Sequence, residues 1–307
     1  MSLPLVSIIT PSFNQDQYLQ ETIESVLSQK YVNIEYIIID GGSEDNSLNI
    51  IKKYQKHLKY WISEKDNGQA DAINKGLLKC SGDLISWINS DDIIYPDFIQ
   101  SRVKQFTANP EVVFIYGDVE QGPDSEHKRI RKGKQTTFLK MLKTLEVPIP
   151  QQSAVWKRAV FQKCGLLNKN WNVLLDREYF LRIARYFNIT YFSDPVAFFR
   201  NHVFSKSIKD EKMWAEEIPK LYDEVLIKNI YSLDKQFLNK NNNRLLSKAH
   251  LFSSAIYEKN DQLDLASKHE EIAKNLSPIL SRYFIFKEQI KKSILKFKKV
   301  ILCKCVK

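Results

Sequence analysis

Cysteine is scarce in this chain: four in 307 residues, Cys80, Cys164, Cys303 and Cys305. Their spacing matches no zinc pattern, and four in so long a chain form no disulfide framework. A reducing cytoplasm is the setting these residues imply. No run of about 18 uncharged apolar residues occurs, which excludes a membrane-spanning helix. The start of the chain lacks a basic residue cluster followed by a long apolar run, so no secretory signal is expected. No Gly-x-Gly-x-x-Gly follows the first expected strand, which excludes a dinucleotide-dependent dehydrogenase. No glycine loop closes on Lys-Ser or Lys-Thr, which excludes a P-loop enzyme. Internal repeats and long low-complexity tracts are absent too.

What is present is globular: 43% hydrophobic and 12% aromatic residues. The length suits one large α/β domain, expected over residues 1–208, with an α-helical region over 209–307. The net charge of +10 is uneven. Residues 281–307 hold nine Lys/Arg against Glu288, which leaves only +2 for everything before them. Within that tail Ile290, Ile294, Phe297 and Ile301 recur at helical steps, with Lys291, Lys292, Lys296, Lys298 and Lys299 mainly on other faces. That pattern fits an interfacial helix on an anionic membrane, and equally a helix packed on the protein with a solvated lysine face. Nucleic acid is not expected as a partner.

Up to residue 118 apolar runs alternate with helical periodicity. Strands are expected at Leu5–Thr10, Ile34–Ile39, Tyr60–Ser63, Leu84–Ile88 and Val112–Tyr116. Helices are expected over 16–29, after Ser43 as an N-cap, over Gln69–Leu78 and over Asp97–Thr107. This alternation predicts a mostly parallel, twisted sheet with helices on both faces. Residues 119–135 read as a hairpin or loop, with Lys128–Lys132 as a solvated basic run. Pro148–Gln152 reads as an extended linker. Leu174–Phe187 reads as an amphipathic helix, and Ile189–Phe192 and Val196–Arg200 as two strands. From about residue 210 the pattern is helical, with Asn239–Asn243 as a polar break.

The chemistry gathers at strand ends. Leu84–Ile88 runs into Asn89-Ser90-Asp91-Asp92. Adjacent carboxylates repel unless something positive sits beside them; a hard divalent cation shared with substrate phosphates is one answer, and a solvated acidic turn is the other. Thr10–Asn14, Asp40 and Asp66 also follow strands. Parallel strands present their carboxyl ends on one rim, so these groups converge where ligands bind in open α/β sheets.

Four stretches in this order, Val6–Asn14, Ile39–Ser47, Glu64–Gly76 and Ser81–Asp92, resemble the family 2 inverting glycosyltransferases of the GT-A fold, and the likeness covers roughly residues 4–205. The resemblance implies that Thr10, Pro11 and Phe13, with Asn14 beside them, shape a nucleotide pocket. It implies that Asp40 reads the base through its ring N–H and that Asp66 lines the same pocket. Asn89 stands where the family's Asp-x-Asp motif begins, so Asp91 and Asp92 would supply the carboxylates, one toward ribose or sugar and one toward Mn²⁺ or Mg²⁺. Arg200 and His202 stand where the family meets the diphosphate or the metal. Asp176, in Leu175-Asp176-Arg177-Glu178, aligns with the catalytic base, with Glu178 as the fallback.

The expected activity is inverting transfer of a sugar from a nucleotide-diphosphate donor to a hydroxyl of a glycan or lipid-linked acceptor, in bacterial surface polysaccharide synthesis. UDP is the first choice of nucleotide, with dTDP and GDP as alternatives. The expected place is the cytoplasm or the inner face of the plasma membrane. The rival reading is a degenerate, non-catalytic nucleotide-sugar-binding scaffold.

Overall fold

The computed structural model describes residues 3–145 and 148–283. It divides into two compact units, Met1–Lys209 and Asp210–Lys307. Almost all of the basic tail lies outside the described residues.

The first unit is built on one nine-stranded sheet. In chain order its first elements are β1 (Val6–Ser12), α1 (Asp16–Leu27), β2 (Ile34–Asp40), α2 (Ser47–Tyr54), β3 (Tyr60–Ser63), α3 (Gln69–Lys79), β4 (Leu84–Trp87), β5 (Ile93–Ile94) and α4 (Phe98–Ala108). There follow β6 (Phe114–Gly122), β7 (Arg129–Arg131), α5 (Phe138–Lys143), β8 (Val155–Lys157), α6 (Arg158–Cys164), α7 (Leu175–Tyr186), β9 (Thr190–Arg200) and α8 (Lys206–Lys209). The spatial order is β3-β2-β1-β4-β8-β6-β9-β5, with β7 paired to β6.

β1 to β4 pair in parallel. β1, β2 and β4 are rich in Val, Ile and Leu because both faces are covered, whereas the edge strand β3 is only half-buried. Val6 and Ile8 of β1 join Ile23, Ile51 and Val103 of α1, α2 and α4 in one cluster. Ile9 points the other way, onto α3, and a methyl group at Gly76 would strike its side chain. On that second face Trp87 stacks on Phe180 of α7 at 5.8 Å.

The other half of the sheet is mixed. β8 runs antiparallel to β4 and β6, while β9 runs parallel to β6 and antiparallel to β5. The two stretches expected as separate strands form one, β9, whose register on β6 shifts on both sides of Asp118. Pro195 sits at that irregularity, where its missing N–H breaks no regular ladder. Fully buried Arg102 pairs with Asp194 beside it at 2.9 Å. The expected linker contains a 3₁₀ turn at Gln151–Ser153, buried throughout.

Ser43 is not a helix cap. Its hydroxyl turns back to Asp40 at 2.5 Å, and α2 starts only at Ser47. The second unit holds α9 (Glu211–Tyr222), α10 (Lys235–Lys259) and α11 (Leu263–Leu276). Asn239–Asn243 do not break a helix but lie within α10, which is capped by Asp234 accepting from the Phe237 N–H at 2.7 Å. Leu245, Leu246, Ala249 and Leu251 are buried further along and outweigh the weak helix preference of the asparagines. Among the described residues no helix is long and apolar enough to cross a membrane.

Candidate active site

The carboxyl ends of β1 to β4 share one rim, as parallel pairing requires. Two of their loops are laced together. Asn14, in the left-handed region at φ 50°, donates its N–H to Ser43 Oγ and accepts the Glu44 N–H on its side chain, both at 2.8 Å. The Ser12 carbonyl accepts the Gly41 N–H at 2.8 Å. A Cβ on Gly41 would come within 2.7 Å of Asp66 Oδ2, so glycine here lets the β3 loop close on the β2 loop.

Within this rim the expected nucleotide residues separate. Thr10 is buried and hydrogen-bonded to the Tyr36 hydroxyl at 2.9 Å, so it faces the core. Pro11 is buried as well. Phe13 is 58% exposed and stands on the rim. Asp40, expected to read the base, sits within the loop it closes. It is 0% exposed, and its two oxygens take the Gly42 and Ser43 N–H groups and the hydroxyls of Ser43 and Ser63. With four protein donors, its carboxylate holds the loop after β2 together. Asp66 is only partly buried; it accepts the Gly68 N–H at 2.8 Å, and desolvation raises its pKa. Ser12 Oγ is buried without a partner at the end of β1.

Asp91 and Asp92 part company. Asp91 Oδ2 meets His202 Nε2 at 3.0 Å, while the Asp91 carbonyl accepts from Arg200 Nε at 3.1 Å. His202 Nδ1 is buried and unpartnered, and its ring lies 4.6 Å from that of Tyr18. Arg200 also pairs with Glu21. Asp92 turns inward and is 0% exposed. It accepts from Gln152 Nε2 at 2.9 Å, Asn89 Nδ2 at 3.2 Å and the Arg200 N–H at 3.1 Å. Burial, with Asp91 beside it, raises the Asp92 pKa well above the usual carboxylate value. Of the two expected metal carboxylates, Asp92 is thus the one tied to three protein donors and Asp91 the one that meets His202. The local cause is β5, whose pairing of Ile93 with Phe198 pulls the chain after Asp91 against the end of β9.

Asn89 accepts from Gln69 Nε2 at 2.8 Å and donates to Gln151 Oε1 at 3.3 Å, and Gln151 in turn holds the Trp87 carbonyl at 2.8 Å. Gln69, Gln151 and Gln152 are site residues that the sequence reading did not single out. The Pro-rich context read as linker, yet two adjacent glutamines beside a β-sheet were the available signal.

Asp176 occupies the first turn of α7 and accepts the Arg177 N–H at 2.6 Å. Burial raises its pKa, opposed by that bond and by the charges of Arg131 and Arg177. Glu178, the fallback, is buried in a two-pronged pair with Arg182 at 3.0 and 2.8 Å. Arg182 also ties down the Cys164 and Leu166 carbonyls, so this pair is structural. The basic run 128–132 is not uniformly solvated either. Lys128 pairs with Glu120 at 2.5 Å, and the Arg131 guanidinium is desolvated, within electrostatic reach of Asp176 and Asp92. A separate cavity of about 300 Å³ opens at the opposite end of β4, by Leu84, Phe106 and Arg158, away from these groups.

Among the described residues no three His, Cys, Asp or Glu side chains cluster as a ready metal cage. The Asp91–His202 pair nonetheless fits a divalent cation: one carboxylate oxygen and one imidazole nitrogen, with the remaining positions open to substrate oxygens.

A carboxylate-bearing rim at the ends of parallel strands is where an α/β sheet of this kind takes its ligand. The chain belongs to the glycosyl transferase family 2, whose sequence profile matches residues 7–165, and it is a glycosyltransferase of the GT-A fold. A glycosyltransferase of Mycobacterium tuberculosis is 34% identical over 188 residues, 60% of this chain and 70% of that one. One from Rickettsia typhi is 26% identical over 299 residues, 92% of this chain and 91% of that one. In fold it is similar to Staphylococcus aureus TarS, solved with UDP-GlcNAc, at TM-score 0.68, 15% identity and coverage of 92% and 88%. It is also similar to the mannosyltransferase PcManGT of Pyrobaculum calidifontis, solved with GDP-Man and Mn²⁺, at TM-score 0.55, 16% identity and coverage of 93% and 86%.

Proposed function

We propose that the chain transfers a sugar, with inversion, from a nucleotide diphosphate to an acceptor hydroxyl, and that Asp91 and His202 are its divalent-cation ligands. The observation that carries this reading is the 3.0 Å meeting of Asp91 and His202 at the rim, brought together across the sheet from β4 and β9. A bound Mn²⁺ or Mg²⁺ would neutralise charge on the departing diphosphate; the imidazole favours Mn²⁺ over Mg²⁺. Arg200 stands beside the pair, its side chain braced by Glu21 and the Asp91 carbonyl. Phe13, Asn14 and Asp66 lie on the nucleotide side of the rim.

Asp176 is the base. Its carboxylate takes the proton of the acceptor hydroxyl as that oxygen bonds to the anomeric carbon, and the bond to the diphosphate breaks with its electron pair leaving on the nucleotide. One such carboxylate, without a second as nucleophile, suits a single displacement. The presence of Asp91 and Asp176 together argues for a working enzyme over a scaffold. UDP-sugars are the first choice of donor, and a glycan or lipid-linked acceptor of surface polysaccharide the first choice of substrate. The basic tail would place the enzyme on an anionic membrane, with sedimentation on anionic vesicles lost on deletion of residues 281–307.

A panel of UDP-, dTDP- and GDP-sugars, scored by nucleotide-diphosphate release with and without Mn²⁺, tests the reading. Metal-stimulated release from at least one donor is expected. Donor binding without any turnover, in the presence of varied acceptors, would favour the scaffold.

A further inference from the structure

We propose that Tyr18 is a positioning residue for His202: its ring orients the imidazole that meets Asp91, in place of the hydrogen bond that usually fixes a metal-binding histidine. The proposal rests on the reading of His202 as a divalent-cation ligand.

A cation-binding imidazole ordinarily donates its second ring N–H to a carboxylate, a carbonyl or water, and that bond sets the tautomer and the ring orientation. Among the described residues His202 has no such bond. Its Nε2 lies 3.0 Å from Asp91 Oδ2, while Nδ1 is buried without a partner and the side chain is 9% exposed. What lies against the imidazole is the ring of Tyr18, with centroids 4.6 Å apart and planes inclined at 44°. A tilted aromatic pair at that separation is attractive, and its bulk limits how far the imidazole can turn away from Asp91.

Tyr18 is itself seated by its helix. Leu19, Thr22, Ile23 and Val26 bury one stripe of α1. The Thr22 hydroxyl donates to the Asp92 carbonyl at 2.8 Å, which ties α1 to the loop that carries Asp91. Tyr18 and Glu21, three residues apart, are neighbours on the helix surface, and both reach the segment after β9. Glu21 pairs with the Arg200 guanidinium, whose carbon lies 4.8 Å from the Tyr18 ring centre. On its other side that segment closes on itself, the His202 N–H donating to Ser205 Oγ at 3.1 Å. One flank of α1 thus grips Arg200 and His202 together, and Tyr18 is the residue of that flank in contact with the imidazole.

The test titrates Mn²⁺ into the full chain with UDP and, separately, with GDP, followed by loss of the free-ion electron paramagnetic resonance signal. Tyr18→Leu, which keeps apolar bulk but loses the ring, weakens Mn²⁺ binding about tenfold, as removing an outer partner of a metal-bound imidazole does. Tyr18→Phe, which keeps the ring, stays within about twofold of wild type. A metal-free readout accompanies it. The chain has five histidines, and the NMR signal missing in His202→Ala assigns the His202 ring protons. Tyr18→Leu moves that signal, and Tyr18→Phe leaves it close to its wild-type position. Mn²⁺ affinity within about twofold of wild type in Tyr18→Leu, equal losses in Tyr18→Leu and Tyr18→Phe, or an unmoved His202 signal in Tyr18→Leu would overturn the proposal. Wild-type Mn²⁺ affinity in His202→Ala would instead overturn the ligand assignment itself.

Discussion

The two halves of the catalytic sheet assemble their chemistry in different ways. In the parallel half, β1 to β4, functional groups follow their own strands by a few residues, and topology alone brings Asn14, Asp66 and Asp91 to one rim. In the mixed half, β5 to β9, groups arrive by long-range pairing. His202 reaches Asp91 across 111 residues, and the Arg200 N–H reaches Asp92 across 108. The first half supplies strand ends on one rim; the second brings His202 and Arg200 to them from far along the chain. The two neighbouring carboxylates meet different partners there: Asp91 meets His202, while Asp92 is held by Gln152 and the end of β9.

The largest expected effect breaks this division at the base. Asp176→Asn cuts kcat by about 10²–10⁴-fold while leaving donor affinity near wild type. In the wild type, activity falls as pH drops through the burial-raised pKa of Asp176, because the acid form cannot take a proton. Steady-state kinetics over a pH series check both statements; a kcat within twofold of wild type in the variant would remove Asp176 from the mechanism.

Glu178→Gln, two residues on, separates chemistry from architecture. It breaks a buried pair and costs about 3 kcal/mol of stability, read by denaturant unfolding, yet the folded fraction keeps its pH profile. A changed profile at unchanged stability would restore Glu178 as a candidate base. In the parallel half, Gly76→Ala forces a methyl group onto Ile9 and costs about 1–3 kcal/mol. If it melts like wild type, the α3–β1 contact is looser than the geometry implies.

The smallest effect lies in the helical unit, as a control on both halves. His250 and His269 meet at 3.0 Å between ring nitrogens. Burial lowers the first pKa; burial, His250 and Lys268 lower the second to about 4. Both native pKa values lie below the unfolded one, so the stabilisation is present above about pH 6.5 and is lost as pH falls toward 4. Melting followed by circular dichroism should soften over that window in wild type and less in a His250→Gln/His269→Gln double variant. Equal slopes would contradict the pairing.

How far the sequence could be read follows the same division. Strands β1 to β4 and the helices between them were legible because apolar runs and helical periodicity are local signals. The carboxylates after β3 and β4 were legible because parallel topology fixes where strand ends go. Asp40 also sat at a strand end, but nothing local revealed that Ser43 and Ser63 would claim its oxygens. Asp91 and Asp92 could not be told apart, since the difference lies in β9 and Gln152. Asn239–Asn243 looked like a break because propensity weighs residues singly, whereas α10 is held by its cap and by leucines further along.

The most direct test of the account sets the two neighbouring carboxylates against each other. Asp91→Asn and Asp92→Asn are titrated with UDP and GDP in the presence of Mn²⁺, and each is melted alongside wild type. The account predicts that Asp91→Asn melts near wild type but loses Mn²⁺-dependent nucleotide binding by at least about tenfold, about 1.4 kcal/mol. It predicts that Asp92→Asn, whose new amide must face three protein donors, loses about 1–3 kcal/mol of stability and keeps metal-dependent binding in its folded fraction. The reverse pattern, with Asp92→Asn stable but blind to Mn²⁺ and Asp91→Asn binding normally, would contradict it.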